Sequence, residues 1–240
     1  MDTLTDTDWD ASAAAWIAAQ GADGDFGRRH VLDAPMRARV AGRGFARAVD
    51  IGCGEGRFCR WLADAGIATT GIDPTAALIA AARQRHPAGD YRIGRAENLD
   101  LPDAGFDLVV SYLSLIDIAD LVAGLGEMNR VLADGGTLLI ANQTGFSTAW
   151  SARRGHDEGK GDDKDGRGYL DEFANWESWD GIRVRNWHRP LSRYMALLLG
   201  HGLVLRHFDE PEPSGGDAAK QQRYRQLPHH FIMEWQKPPR

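Results

Sequence analysis

One stretch constrains this chain more than any other: Ala48-Val49-Asp50-Ile51-Gly52-Cys53-Gly54-Glu55-Gly56-Arg57-Phe58. A short apolar run carries an acid, and glycines then recur at every second position. Glycines directly after a strand permit a tight turn and let backbone N–H groups approach a ligand at the start of the next helix. A second short strand pattern, Ala68-Thr69-Thr70-Gly71-Ile72-Asp73, also closes on an acid. An acid in that place can accept hydrogen bonds from ribose hydroxyls. The two patterns together imply a parallel sheet with a nucleoside-containing ligand across its carboxyl edge.

The glycine spacing narrows the ligand. A dinucleotide fingerprint reads G-x-G-x-x-G. Here the third glycine, Gly56, comes one residue early, and Arg57 stands where the dinucleotide pattern wants glycine. Asp50, two residues before Gly52, is not a dinucleotide requirement. Further along, Tyr91-Arg92-Ile93 forms a third strand pattern, followed by Gly94-Arg95-Ala96-Glu97-Asn98-Leu99. Gly105-Phe106-Asp107-Leu108-Val109-Val110-Ser111 is a fourth, buried one. Glu127 to Leu132 ends a helix, and Asp134-Gly135-Gly136 turns into Thr137-Leu138-Leu139-Ile140-Ala141.

This succession over residues 48–141 resembles the class I methyltransferases that use S-adenosylmethionine, in their small-molecule branch. The resemblance implies a Rossmann-like, seven-stranded, mostly parallel sheet with one antiparallel strand and helices on both faces. It implies that Asp50 and the backbone of Gly52, Cys53, Gly54 and Gly56 hold the methionine end of S-adenosyl-L-methionine. Asp73 would hold the ribose, Pro74 would lie against the adenine, and Ala96 and Glu97 would line the adenine edge. Ser111 and Tyr112 would face the sulfonium. One residue departs from the family pattern: Arg95 stands where an Asp often bonds the adenine amino group, so that contact must come from a backbone carbonyl or Glu97.

Composition excludes several functions. With 28 Lys and Arg against 34 Asp and Glu, the net charge is −6, and the dispersed cations form no stripe for a phosphate backbone. No nucleic-acid partner is therefore expected. No apolar run reaches the ~18 residues of a membrane span, and the acidic start Met1 to Asp6 lacks a signal region, so a cytoplasmic location is expected. Cys53 and Cys59 read as a reduced pair, and no metal-ligand spacing appears. A nicotinamide oxidoreductase is disfavoured by Arg57 and by the lack of a Tyr-x-x-x-Lys relay. A macromolecule methyltransferase is disfavoured by the acidic balance and by Ser111-Tyr112-Leu113-Ser114, which is no Asn/Asp-Pro-Pro-aromatic motif. A non-catalytic protein that senses the same cofactor would carry the same Asp50, glycines and Asp73.

The chain reads as one domain. Cap helices are expected in 1–45 (10–20 and 30–41), the cofactor core in 46–141, a loop and aromatic cap in 142–190, and a helix with two strands in 191–240. Core helices are expected near 56–65, 75–85 and 118–132, and a later one over 190–201. The alternation of strands and helices implies parallel strands with right-handed crossovers. Residues 151–168 hold five acids, five Lys or Arg and five glycines, a composition that predicts a mobile lid. The aromatic run that follows predicts a cover for an apolar or aromatic small substrate, with Trp176, Trp187 and Tyr194 as candidate contacts. His188, ahead of Pro190, is the candidate catalytic residue that accepts a substrate proton; the alternative reading is a structural histidine capping the next helix. His30 is a second candidate, and His229 and His230 read as structural. Acceptor atom and oligomeric state are not legible.

Overall fold

A computed structural model describes residues 9–150 and 168–239. Helix α1 spans Trp9–Gln20, a π-helical turn covers Arg28–Leu32, and α2 spans Asp33–Ala38. The alternating core follows: β1 Arg47–Ile51, α3 Arg57–Asp64, β2 Ala68–Asp73, α4 Ala76–Arg85, β3 Asp90–Ile93, β4 Phe106–Tyr112, α5 Leu121–Val131 and β5 Leu132–Gln143. Residues 145–150 are helical (α6). Strands β6 (Phe173–Trp179) and β7 (Ile182–His188) form a separate hairpin; α7 (Leu191–Gly200), β8 (Val204–Asp209), α8 (Ala218–Gln226) and β9 (His230–Gln236) complete the chain.

The seven-stranded sheet has the order β3-β2-β1-β4-β5-β9-β8. Strands β1 to β5 pair in parallel, while β9 runs antiparallel to both β5 and β8. This is the Rossmann-like sheet with one reversed strand. The period of two along each strand divides the core in two. Val49, Ile51, Val109, Leu138, Ile140, Met233 and Trp235 pack with α5 and α7 on one face. Ala48, Leu108, Val110, Leu139, Ala141 and Ile232 pack with Leu32, Met36, Phe58 and Leu62 on the other. Strand order reverses between β2-β1 and β4, so the loops after β1 and β4 diverge and leave a crevice at the carboxyl edge.

The expected helices and strands form, with boundary shifts of a few residues. Residues 30–41 divide into the π-helical turn and α2 rather than one helix. Besides α6, two elements were not foreseen. One is the β6–β7 hairpin, whose turn residues Asp180 and Gly181 both have left-handed φ (44° and 79°), the backbone of a tight hairpin turn. The other is α8, a polar helix with no buried residue, capped where Asp217 accepts from the Lys220 N–H at 2.8 Å. The expected lid over 151–168 lies, apart from Gly168, outside the described residues. No helix among the described residues is long and apolar enough to cross a membrane.

Candidate active site

The loop after β1 is forced into its path by sterics. Gly52, Gly54 and Gly56 have φ of 78°, 56° and 77°, a region that L side chains avoid. A Cβ on Gly52 would also overlap the Ser114 side chain, and one on Gly56 would sit 2.6 Å from the Tyr91 ring. These glycines let the turn pass close beneath the β4 exit and start α3. Asp50, fully buried at the end of β1, accepts one bond on Oδ2, from the Cys59 thiol at 3.5 Å. Its Oδ1 has no partner among the described residues. Burial pushes this carboxyl up to about 7; the Asp73 charge adds to the rise, while the Cys59 bond and the charges of Arg57 and Arg28 oppose it. An unpaired, water-excluded carboxylate oxygen is costly, and a ligand ammonium would satisfy it.

Asp73 closes β2. Its Oδ2 accepts from the Gly54 N–H and its Oδ1 from the Thr75 N–H, both at 2.9 Å. The acid therefore fixes the glycine turn and the start of α4, and each oxygen keeps a lone pair for a hydroxyl. Burial raises its pKa, and the two backbone bonds oppose that rise. Both acids line one cavity whose empty volume is about 1040 Å³ with its open mouth included, room for a nucleoside-sized ligand beside a second small molecule. Pro74, Gly94, Arg95, Ala96 and Glu97 line the same cavity. Arg95 donates to Glu97 Oε1 at 3.2 Å, so the residue that departs from the family pattern is tied to the neighbouring acid.

The remaining wall comes from the amino-terminal segment and the loop after β4. Trp9, Trp16 and Gln20 of α1, Arg28 of the π-helical turn, and Tyr112, Leu113, Ser114, Asp117 and Ile118 all face the cavity. Helix α1 is held there by the hairpin: the Ser12 hydroxyl donates to the Arg183 carbonyl at 2.9 Å and accepts from the Arg183 N–H at 3.0 Å. Arg57 grips Asp33 with two bonds of 2.7 Å, and the Tyr112 hydroxyl donates to Asp33 at 2.7 Å. Tyr112 thus offers the cavity its ring. Burial raises its pKa, and so does the Asp33 charge.

Several sequence-predicted residues meet at this cavity: Asp50, Gly52, Cys53, Gly54, Asp73, Pro74, Ala96, Glu97 and Tyr112. Gly56 and Ser111 stand behind the wall, Gly56 against Tyr91 and Ser111 with its hydroxyl 2.7 Å from that of Ser114. The structure places the substrate-side candidates away from this cavity. His188 is fully buried and away from the cavity. Its Nε2 donates to the Tyr169 carbonyl at 2.9 Å, its Nδ1 lies 2.7 Å from the Thr148 hydroxyl, and its ring stacks on Phe173. Burial holds its pKa below the usual value. With both nitrogens engaged, it anchors the hairpin and has none free for a substrate proton. Trp176 lies outside the cavity, under the Arg183 guanidinium at 3.9 Å. Trp187 faces Arg189, and Tyr194 is buried with its hydroxyl accepting from Asn142 at 3.2 Å. The cavity's tryptophans are Trp9 and Trp16 instead. Asp117, Trp9, Trp16 and Arg28 were missed; the available signal for Asp117 was a lone acid in the apolar run Leu115-Ile116-Asp117-Ile118.

Fold, glycine turn and paired strand-end acids define a nucleoside-cofactor site of the methyltransferase class. Comparison with known proteins makes the assignment. Residues 49–140 match a family model described as a methyltransferase domain. The malonyl-[acyl-carrier protein] O-methyltransferase of Serratia marcescens is 30% identical over 200 residues, covering 80% of this chain and 70% of that protein. The demethylmenaquinone methyltransferase of Beutenbergia cavernae is 34% identical over 121 residues, and the chain spans only 47% of its length. An S-adenosylmethionine-dependent methyltransferase from Mesorhizobium loti shares the fold with a TM-score of 0.72 at 24% identity, over 90% of this chain and all of that one. The chain belongs to the class I methyltransferases, and S-adenosylmethionine is its cofactor. The partnerless Asp50 Oδ1 fits the ammonium of that cofactor.

Proposed function

We propose that this enzyme methylates a small molecule with an apolar or aromatic body, by in-line displacement driven mainly by positioning. When bound, S-adenosylmethionine supplies a methyl group already activated on a sulfonium. Asp50 would hold its ammonium, Asp73 its ribose hydroxyls, and the segment Gly94 to Glu97 its adenine edge. Trp9, Trp16, Tyr112, Leu113 and Ile118 would then hold the acceptor and exclude water. Orientation in such a site can supply roughly 7–11 kcal/mol of barrier lowering, so no conspicuous catalytic cluster is required. The observation that carries this reading is the continuity of one cavity from the glycine turn to the aromatic face of α1. The relatives named for a malonyl carrier ester and for a quinone precursor support a small organic acceptor. The net charge of −6 supports the absence of a nucleic-acid substrate. The test is incubation with methyl-labelled S-adenosylmethionine and a fractionated metabolite extract, followed by mass spectrometry. Label in a small product, free or attached to a carrier protein, is expected; label only in protein side chains or nucleic acid would refute the reading.

A further inference from the structure

Asp117 is a cavity carboxyl that the cofactor contacts above do not use. The loop bearing it is tightly held. The buried guanidinium of Arg189 donates to the carbonyls of Leu115, Ile118 and Ala119 at 3.1, 2.6 and 3.0 Å. The Trp187 N–H donates to the Ile116 carbonyl at 2.7 Å. This frame turns the Asp117 side chain into the cavity between Ser114 and Ile118. There Asp117 Oδ1 accepts from the Asn186 amide at 2.8 Å, and the Trp9 side chain supplies a second hydrogen bond. Both partners are neutral. Among the described residues no cation pairs with Asp117.

The arginines that share the cavity are already taken. Arg28 is bound to Asp25 at 2.6 Å, Arg57 to Asp33, and Arg95 to Glu97. If the only task were to tie α1 and the hairpin to the loop, an asparagine oxygen would accept from neutral donors without the cost of a half-buried, unpaired charge. A carboxyl here, solvated only through the cavity, has the surroundings of a group that exchanges a proton with a ligand. Desolvation pushes it up to about 7; the Asp73 charge on β2 adds to this, while the Trp9 and Asn186 bonds and Arg28 oppose it.

We propose that Asp117 accepts the proton of a hydroxyl or amine acceptor, and that its charge excludes acceptors presenting a carboxylate. This rests on the small-molecule reading above. In the step, the acceptor's oxygen or nitrogen forms a bond to the methyl carbon. The carbon–sulfur bond breaks with its electron pair left on sulfur, which becomes a neutral thioether. The acceptor's proton passes to the Asp117 carboxylate and from there to solvent. A carboxylate acceptor has no proton to give and would face Asp117 and Asp73 with no free arginine among the described residues that line the cavity. Ester formation of the kind named for the Serratia relative is therefore disfavoured in this chain.

The experiment uses the full chain with methyl-labelled S-adenosylmethionine and the fractionated extract, comparing the unsubstituted protein with Asp117→Asn. A product methylated at a former hydroxyl or amine is expected; a methyl ester of a carboxylate overturns the proposal whatever the variant does. At saturating cofactor, Asp117→Asn should lower kcat by about 10²–10⁴ and remove the acid limb near pH 7. Its affinity for S-adenosylhomocysteine, including the pH dependence that Asp50 imparts, should stay within about twofold. Transfer by Asp117→Asn at the unsubstituted rate overturns the proposal alone. No transfer by the unsubstituted protein refutes the small-molecule reading and this inference with it. Carboxyl-¹³C NMR of the homocysteine-bound protein adds a readout free of turnover. The aspartate signal missing from Asp117→Asn should titrate near neutrality, and titration in the ordinary carboxylate range overturns the proposal.

Discussion

The ionisation of Asp50 should be visible in cofactor affinity. Its carboxyl is buried, holds at about 7, and has one oxygen without a partner. The ligand's ammonium stays protonated between pH 6 and 8, so only the ionised acid can pair with it. For a group of pKa 7, binding is then weakened about elevenfold at pH 6 and hardly at all at pH 8. The ratio is about tenfold, or about 1.4 kcal/mol. Binding at pH 7 should release about half a proton. Titration calorimetry with S-adenosylhomocysteine, in two buffers of different ionisation enthalpy, measures both quantities. The neutral sulfur of that ligand keeps sulfonium effects out of the result. Asp50→Asn should abolish the slope and weaken binding by about 2–5 kcal/mol, the loss for a buried charge pair missing one partner. The sign for stability runs the other way. A folded pKa raised above the ordinary 3.8 gives a contribution fully present below that value and lost as pH rises through about 7. The thermal shift produced by the ligand should therefore grow from pH 6 to pH 8. Affinity that is flat across this window, or an equal slope in Asp50→Asn, would refute the pairing of Asp50 with the ammonium.

Three further outcomes follow from the same geometry. Gly52→Ala puts a Cβ in a left-handed backbone and against Ser114; calorimetric Tm should drop by at least about 4 °C, and an unchanged Tm would show that the turn can relax. Asp73→Ala frees the Gly54 and Thr75 N–H groups and removes the ribose partner, so S-adenosylhomocysteine should bind about 1.5–3 kcal/mol more weakly; equal affinity would mean that the ribose lies elsewhere. His188→Ala breaks the bonds to Tyr169 and Thr148 and the stacking on Phe173, for a loss of about 2–4 kcal/mol in urea unfolding; a variant of normal stability that has lost turnover would restore the catalytic role the structure denies it.

The glycine turn and the two strand-end acids of the cavity were legible because their constraints are local. Positive φ at Gly52, Gly54 and Gly56 demands glycine, and the acids that close β1 and β2 sit at fixed offsets from that turn. The order of strands followed from alternation of period-two and helical patterns. The acceptor half was not legible because it is assembled across the chain. Trp9 and Trp16 reach the cavity because α1 packs against α4 and β7, where Ser12 bonds Arg183 across 171 residues of chain. Trp176, Trp187 and His188 looked like a substrate cover because they cluster in sequence. A two-residue turn folds them into a hairpin that lies behind the cavity, and its sequence, Asp180-Gly181, was the available sign. Asp117 looked like an interruption in an apolar run; its role as a cavity group depends on Arg189, Trp187 and Asn186, some 70 residues away.

The most direct test is a structure of the protein with S-adenosylhomocysteine bound. The ammonium is expected about 3 Å from Asp50 Oδ1, the ribose hydroxyls at Asp73, and the adenine edge along Gly94 to Glu97. The thioether sulfur should point toward the space bounded by Trp9, Tyr112 and Asp117. A ligand seated in this cavity with its ammonium away from Asp50, or with its sulfur turned from Asp117 toward the His188 side, would contradict the account.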